Sequence, residues 1–162
     1  MKLSVNPGYA LIANPFHRGG NTVAEVLPRS PQGTRLFKYD PVVNGYAETT
    51  FIDNQWTDPG QTLGPGEGAF IFNPSDALTD FVFTGSLQLE NPMRVLTHGM
   101  YLVSLPYPRT GKINEILDIS MRPGDVVVKF NFHHGGFDYF EFGVENTPFI
   151  INAGEAFFVL RF

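Results

Sequence analysis

Two glutamates stand in nearly the same phrase, Glu67 in GPGEGAFIF (64–72) and Glu155 in NAGEAFFVL (152–160). A pair of carboxylates is the minimum equipment for acid–base chemistry, one donating a proton and the other accepting it, provided their surroundings push their pKa values apart. The other reading is architectural: each carboxylate accepts backbone N–H groups of its own turn and fixes the entrance to the apolar strand behind it. Pro65-Gly66 favours a type II turn with Gly66 in the positive-φ position, and Gly154 holds the matching place in the second phrase. We therefore read Gly66, Glu67, Gly154 and Glu155 as structural turn residues, and assign no catalytic residue.

Other groups capable of chemistry are few. His133 and His134 are adjacent, so an extended chain points them to opposite faces, and with His17 and His98 they form no His-x-His or His-x-x-x-His spacing. HHGG reads instead as a solvated hairpin tip. Asp40 and Asn44 offer oxygens to calcium, but they are also what a tight turn uses. There is no HExxH, no GxSxG and no phosphate-cradling loop, and the absence of cysteine removes thiolate nucleophiles and Cys-ligated metals. No cofactor and no metal is expected.

Aromatic residues carry the remaining signal. Trp56, the single tryptophan, lies in the polar, turn-rich DNQWTDPGQ, while Tyr46, Phe137 and Tyr139 flank two hairpins. Rings presented this way stack on sugar rings, which makes these four the ligand-contact candidates and a polysaccharide the corresponding partner. The same rings serve equally to cover the ends of a barrel or sandwich.

The elements that must position these residues are written twice. GYALIANP (8–15) corresponds to GMYLVSLP (99–106), GTRLFKYD (33–40) to GDVVVKFN (124–131) and NGYAETTF (44–51) to GGFDYFEF (135–142), each 91 residues apart, while the glutamate phrases stand 88 apart. Ordered matches at a near-constant spacing predict an internal duplication: repeat one at 8–73, a linker with an extra strand at 74–98, and repeat two at 99–162, within a single domain spanning 1–162. In each copy alternating runs flank a turn, and Asn44-Gly45 supplies positive φ for the first return. TVAE (22–25) has the form of a capping box before the stripe Val23, Val26 and Leu27; the second copy keeps the stripe as Ile113, Ile116 and Leu117 without the box.

Composition agrees with strands. Charged residues are only 17% of the chain, and their place is taken by Gly, Pro and aromatics, including 16 Phe, a mixture that suits pleated strands joined by tight turns. The predicted fold is all-β, a single sandwich or barrel of two pseudosymmetric repeats, each with one short helical turn. With net charge −5 and no basic run, nucleic acid is not an expected partner. No stretch is long and apolar enough for a membrane span.

As a set, GYALIANPF, GGNTVAEVLP, GTRLFKYDPVVNGY, LGPGEGAFIFNPS and DFVFTG, then GDVVVKFN, GGFDYFEFG and GEAFFVLR, resemble a family of secreted two-repeat β proteins common in Verrucomicrobia and Planctomycetes. The likeness covers essentially the whole chain, with KLSV at that family's pre-repeat strand and DFVFTGSL (80–87) at its linker strand. The two histidines of KFNFHHGGF depart from it. The resemblance implies export and an extracellular or cell-surface location, in a mature or trimmed form, since the family's signal peptide is absent from this sequence. It brings no catalytic residue with it.

The strands after both glutamates are apolar on both faces, so each is either covered on both sides or awaits a partner. KLSV and FFVLRF near the ends are strand-like too, and pair either within the domain or with neighbouring subunits. The first expectation is a non-catalytic structural subunit that assembles with copies of itself into an extracellular layer or filament through Phe70, Phe72, Phe158 and Phe162. A glycan-binding surface module is the alternative, and a hydrolase a third.

Overall fold

A computed structural model describes residues 1–87, 95–131, 135–144 and 149–162, the Asn114 side chain excepted. The strands are β1 (Lys2–Val5), β2 (Gly8–Ala13), β3 (Arg35–Asp40), β4 (Gly45–Ile52), β5 (Gln55–Trp56), β6 (Gly68–Asn73), β7 (Thr79–Val82), β8 (Gly99–Ser104), β9 (Gly111–Lys112), β10 (Val126–Asn131), β11 (Gly136–Glu141), β12 (Ile150–Ile151) and β13 (Ala156–Arg161). Two single turns of helix, α1 (Val23–Val26) and α2 (Ile113–Ile116), complete the described elements. The chain is all-β. No described helix is long and apolar enough to cross a membrane.

One sheet runs β2-β6-β3-β4-β5 and the other β8-β13-β10-β11, with all pairs antiparallel. Strand order in the second therefore repeats that of the first, less β5. Register repeats as well: Leu11 faces Phe70 and Phe70 faces Phe37, while Leu102 faces Phe158 and Phe158 faces Val128. Because a slip of one residue would exchange the two faces of a strand, matching register means matching faces. β1 pairs with β7 and β9 with β12, so KLSV pairs within the chain, and FFVLRF lies between β8 and β10 in the second sheet.

Among the described residues three apolar clusters follow from this layout. One lies on the outer face of the first sheet around Ile12, Leu36, Ile71, Phe81 and Trp56; another on the outer face of the second around Val103, Val127, Phe140 and Phe157. Between the sheets, Leu11, Ala13 and Phe70 meet Leu102, Val128, Ala156 and Phe158. That central layer explains why β6 and β13 are apolar on both faces: each is covered twice.

The sheets are stitched reciprocally at this joint. Ala13 N donates to Gly154 O at 2.8 Å and Ser104 N donates to Gly66 O at 3.0 Å, so the end of each half's first strand bonds to the other half's glutamate turn. Aromatic contacts reciprocate too, with Tyr39 edge-on to Phe158 at 6.1 Å and Phe130 edge-on to Phe70 at 6.4 Å.

Local chemistry sets the remaining elements. Thr22 and Glu25 form the capping box, with Glu25 N donating to Thr22 Oγ1 at 3.4 Å and Thr22 N donating to Glu25 Oε2 at 3.0 Å. Bonds to the carboxylate from the Thr22 amide and the Thr22 hydroxyl, each 3.0 Å, with that from the Gly20 amide and the charge of Arg18, hold the Glu25 carboxyl below its ordinary pKa. α2 begins at Lys112 with no side-chain cap. The first hairpin departs from the Asn-Gly expectation: Asp40 pairs with Gly45 across a four-residue turn, Asn44 alone takes positive φ (48°), and Gly45 is strand.

Candidate functional site

Both glutamate turns are built alike. Gly66 (φ 88°) and Gly154 (φ 80°) precede the two carboxylates. Glu67 Oε2 accepts the Gly64 amide at 2.7 Å, and Glu155 Oε2 accepts the Asn152 amide at 2.9 Å. The other oxygen of each takes an ammonium, Lys38 Nζ at 2.8 Å and Lys129 Nζ at 3.0 Å, and the same lysines donate to the Thr62 and Ile150 carbonyls. All four carboxylate oxygens are thus engaged inside their own half. This arrangement closes each turn on itself, amide on one oxygen and ammonium on the other.

Of the residues proposed for ligand contact, Trp56 requires correction. It is 3% exposed, packs edge-on against Phe51 at 5.4 Å, and donates its indole N–H to Leu27 O at 2.9 Å. The polar residues around it line the turn while the indole reaches back across the first half to close the core over α1. Tyr46, Phe137 and Tyr139 remain exposed. Tyr46 and Phe137 occupy corresponding positions and each meets a corresponding ring, Tyr39 and Phe130, at 5.4 Å.

Among the assembly candidates, Phe158 is buried and Phe70 half-buried in the layer between the sheets, where their rings lie 6.0 Å apart. Their contacts are with their own chain, which corrects their assignment to contacts between copies. Phe72 is half-buried beneath Arg35 and beside Tyr9, and Phe162 is 82% exposed.

What the structure brings together is a groove that the sequence did not single out. Tyr9 from β2, Phe37 from β3, Tyr46 from β4 and Phe70 from β6 line an open space of about 300 Å³ on the inner face of the first sheet, beyond the area covered by the second. Antiparallel register puts them there: Leu11, Phe70, Phe37 and Glu48 form one row, flanked by the rows of Tyr9, Phe72 and Arg35 and of Tyr39 and Tyr46. Arg35 lies on the ring faces, 4.6 Å from the Phe72 centroid and 5.4 Å from that of Phe37, with Glu48 at 3.7 Å. Burial, followed by the neighbouring Tyr39, raises the Tyr46 phenol above its ordinary pKa, so it remains a hydrogen-bond donor well into alkaline pH.

Among its described residues the second half carries no such arrangement. In the matching register Tyr9, Arg35, Phe37 and Phe72 are answered by Met100, Val126, Val128 and Leu160. Aliphatic residues there satisfy the same strand frame, so the aromatic rings and the charged pair are not demanded by the frame. Alternating Tyr9, Phe37 and Phe72 were a signal in the sequence, but only strand pairing places them side by side.

Asp40 and Asn44 serve the hairpin: Asp40 Oδ1 accepts the Val42 amide and Asn44 Oδ1 accepts the Tyr39 hydroxyl, both at 2.8 Å. His17 and His98 are exposed, and His133 and His134 lie outside the described residues. Among the described residues no group of three or more His, Asp or Glu is placed to share a metal ion. No protein-family model, curated protein or solved structure matches this chain.

Proposed function

We propose that the chain is a non-catalytic glycan-binding module working outside the cell or at its surface, as its resemblance to the secreted two-repeat family implies. One observation carries the reading: four aromatic side chains of the first half surround an open groove sized for a sugar ring, with a guanidinium and a carboxylate on its rim. Flat aromatic faces take the apolar face of a pyranose, while Tyr hydroxyls, Arg35 and Glu48 supply donors and acceptors for its hydroxyls. Electrophoresis through gels carrying a panel of polysaccharides tests it. At least one polysaccharide retards the protein, Tyr46→Ala restores free migration, and Trp56→Phe does not. Unchanged mobility across the panel contradicts the reading.

Self-assembly is the second reading, favoured by one edge. Among the described residues the outer side of β11 has no strand partner, and it presents Tyr139, 65% exposed, and Phe137. Such an edge adds strands from another copy. Light scattering at rising concentration separates the readings: growth abolished by Tyr139→Lys supports assembly, and a persistent monomer removes it.

A further inference from the structure

Arg35 is held in place but poorly satisfied. Its guanidinium lies over two rings, 4.6 Å from the Phe72 centroid and 5.4 Å from that of Phe37. Its hydrogen bonding is slight: among the described residues it makes one bond, Nη2 to the Tyr9 hydroxyl at a long 3.2 Å, and Glu48 Oε1 at 3.7 Å from Nη1 is beyond hydrogen-bond reach. The rest of the planar donor fork is open, on a side chain 36% exposed, between two residues that line the groove. The strand frame does not call for this charge, since Val126 occupies the corresponding place against Leu160.

We propose that the groove selects an acidic glycan, one whose sugar ring bears a carboxylate as in a uronic acid, with the ring against Phe37, Phe70 and Tyr46 and the carboxylate on the fork of Arg35. This rests on the glycan-binding reading of the same groove. A carboxylate matches a guanidinium with two parallel bonds in one plane, and a guanidinium already stacked on rings loses little freedom in making them. A neutral hydroxymethyl group at the same carbon offers one oxygen and no charge. Glu48 opposes the ligand's carboxylate and so limits the affinity, which gives the arrangement a signature: neutralising Glu48 strengthens binding.

The experiment is calorimetric titration of the intact chain with a uronic-acid trisaccharide and with the neutral trisaccharide of the same linkage, obtained by reducing its carboxylates. The acidic ligand binds about tenfold or more tightly than the neutral one, and its affinity falls with added salt. Arg35→Gln removes the preference, so that the acidic ligand binds no more tightly than the neutral one, Arg35→Lys keeps part of it, and Glu48→Gln strengthens acidic binding several-fold. Melting curves for each variant confirm that the fold is retained. Equal or better binding of the neutral sugar, or a preference that survives Arg35→Gln, overturns the inference while leaving the glycan reading standing. Failure of both sugars to bind overturns it together with that reading for this class of glycan.

Discussion

Gly68 and Ala156 occupy corresponding positions in β6 and β13 and face each other across the joint between the sheets: a β-carbon on Gly68 would lie 2.6 Å from that of Ala156. The space holds one methyl, not two. The neighbouring Leu102 Cγ, at 3.0 Å from the same point, closes the other side.

Gly68→Ala therefore overpacks the joint and destabilises by about 1–3 kcal/mol. Because the two sites share a single methyl's room, the double change Gly68→Ala with Ala156→Gly recovers much of that loss. Urea unfolding of the four proteins in the cycle measures the coupling; simple additivity of the two changes contradicts a shared space.

Lys38–Glu67 and Lys129–Glu155 perform the same closure in different exposure, the second pair being the more buried. Glu155→Ala is expected to cost about 2 kcal/mol and Glu67→Ala about 1 kcal/mol, since a charged hydrogen bond weakens as water reaches it. Neither change alters retention in polysaccharide gels. A loss of retention in Glu67→Ala, with its fold intact, would return that carboxylate to the list of working groups.

The uncapped helix offers a gain. Lys112 has the extended backbone of an N-cap, and Glu115 stands three residues on, so Lys112→Thr recreates the Thr22–Glu25 box in the second half. Thermal melting detects a stabilisation of about 0.5–1 kcal/mol, and Thr22→Ala loses about 1 kcal/mol in the first half. If the threonine at 112 destabilises, the two helical turns are not built on the same terms.

A buried ion pair sets acid sensitivity. Arg161, 3% exposed, donates from Nε to both Asp125 oxygens at 3.0 and 3.2 Å and reaches the Leu96 and Ser120 carbonyls. Burial alone would raise the Asp125 carboxyl, but the Arg161 bonds, the Arg122 amide and the charges of both arginines outweigh it and leave the pKa below its ordinary value. A depressed folded pKa means that this stabilisation is fully present above the unfolded value, near ~3.9, and is lost as pH falls through the folded one. Stability against urea thus declines below about pH 4, and Asp125→Asn flattens that decline while weakening the protein at pH 7, where Arg161→Met costs about 3–5 kcal/mol. An unchanged acid limb in Asp125→Asn contradicts this assignment.

Local features were legible in the sequence because local forces make them. The capping box at Thr22 and Glu25, the positive φ of Gly66 and the strand pairs around both hairpins each depend on neighbours a few residues away. Trp56 misled because its flanks are turn residues, whereas the partner of its indole, Leu27 O, is 29 residues distant. Phe70 and Phe158 misled for a related reason: a strand apolar on both faces announces that something covers it, but not whether the cover is its own chain. The groove needed register, since Tyr9, Phe37, Tyr46 and Phe70 come from four strands.

The most direct test of the account is amide and aromatic-side-chain NMR of the intact protein, titrated with a soluble oligosaccharide of the polysaccharide that retards it. The account predicts saturable shifts concentrated at Tyr9, Arg35, Phe37, Tyr46 and Phe70, with the corresponding Met100, Val126, Val128 and Phe137 still. Shifts centred on Phe137 and Tyr139 or on the Glu67 turn, or none at saturating sugar, would contradict it.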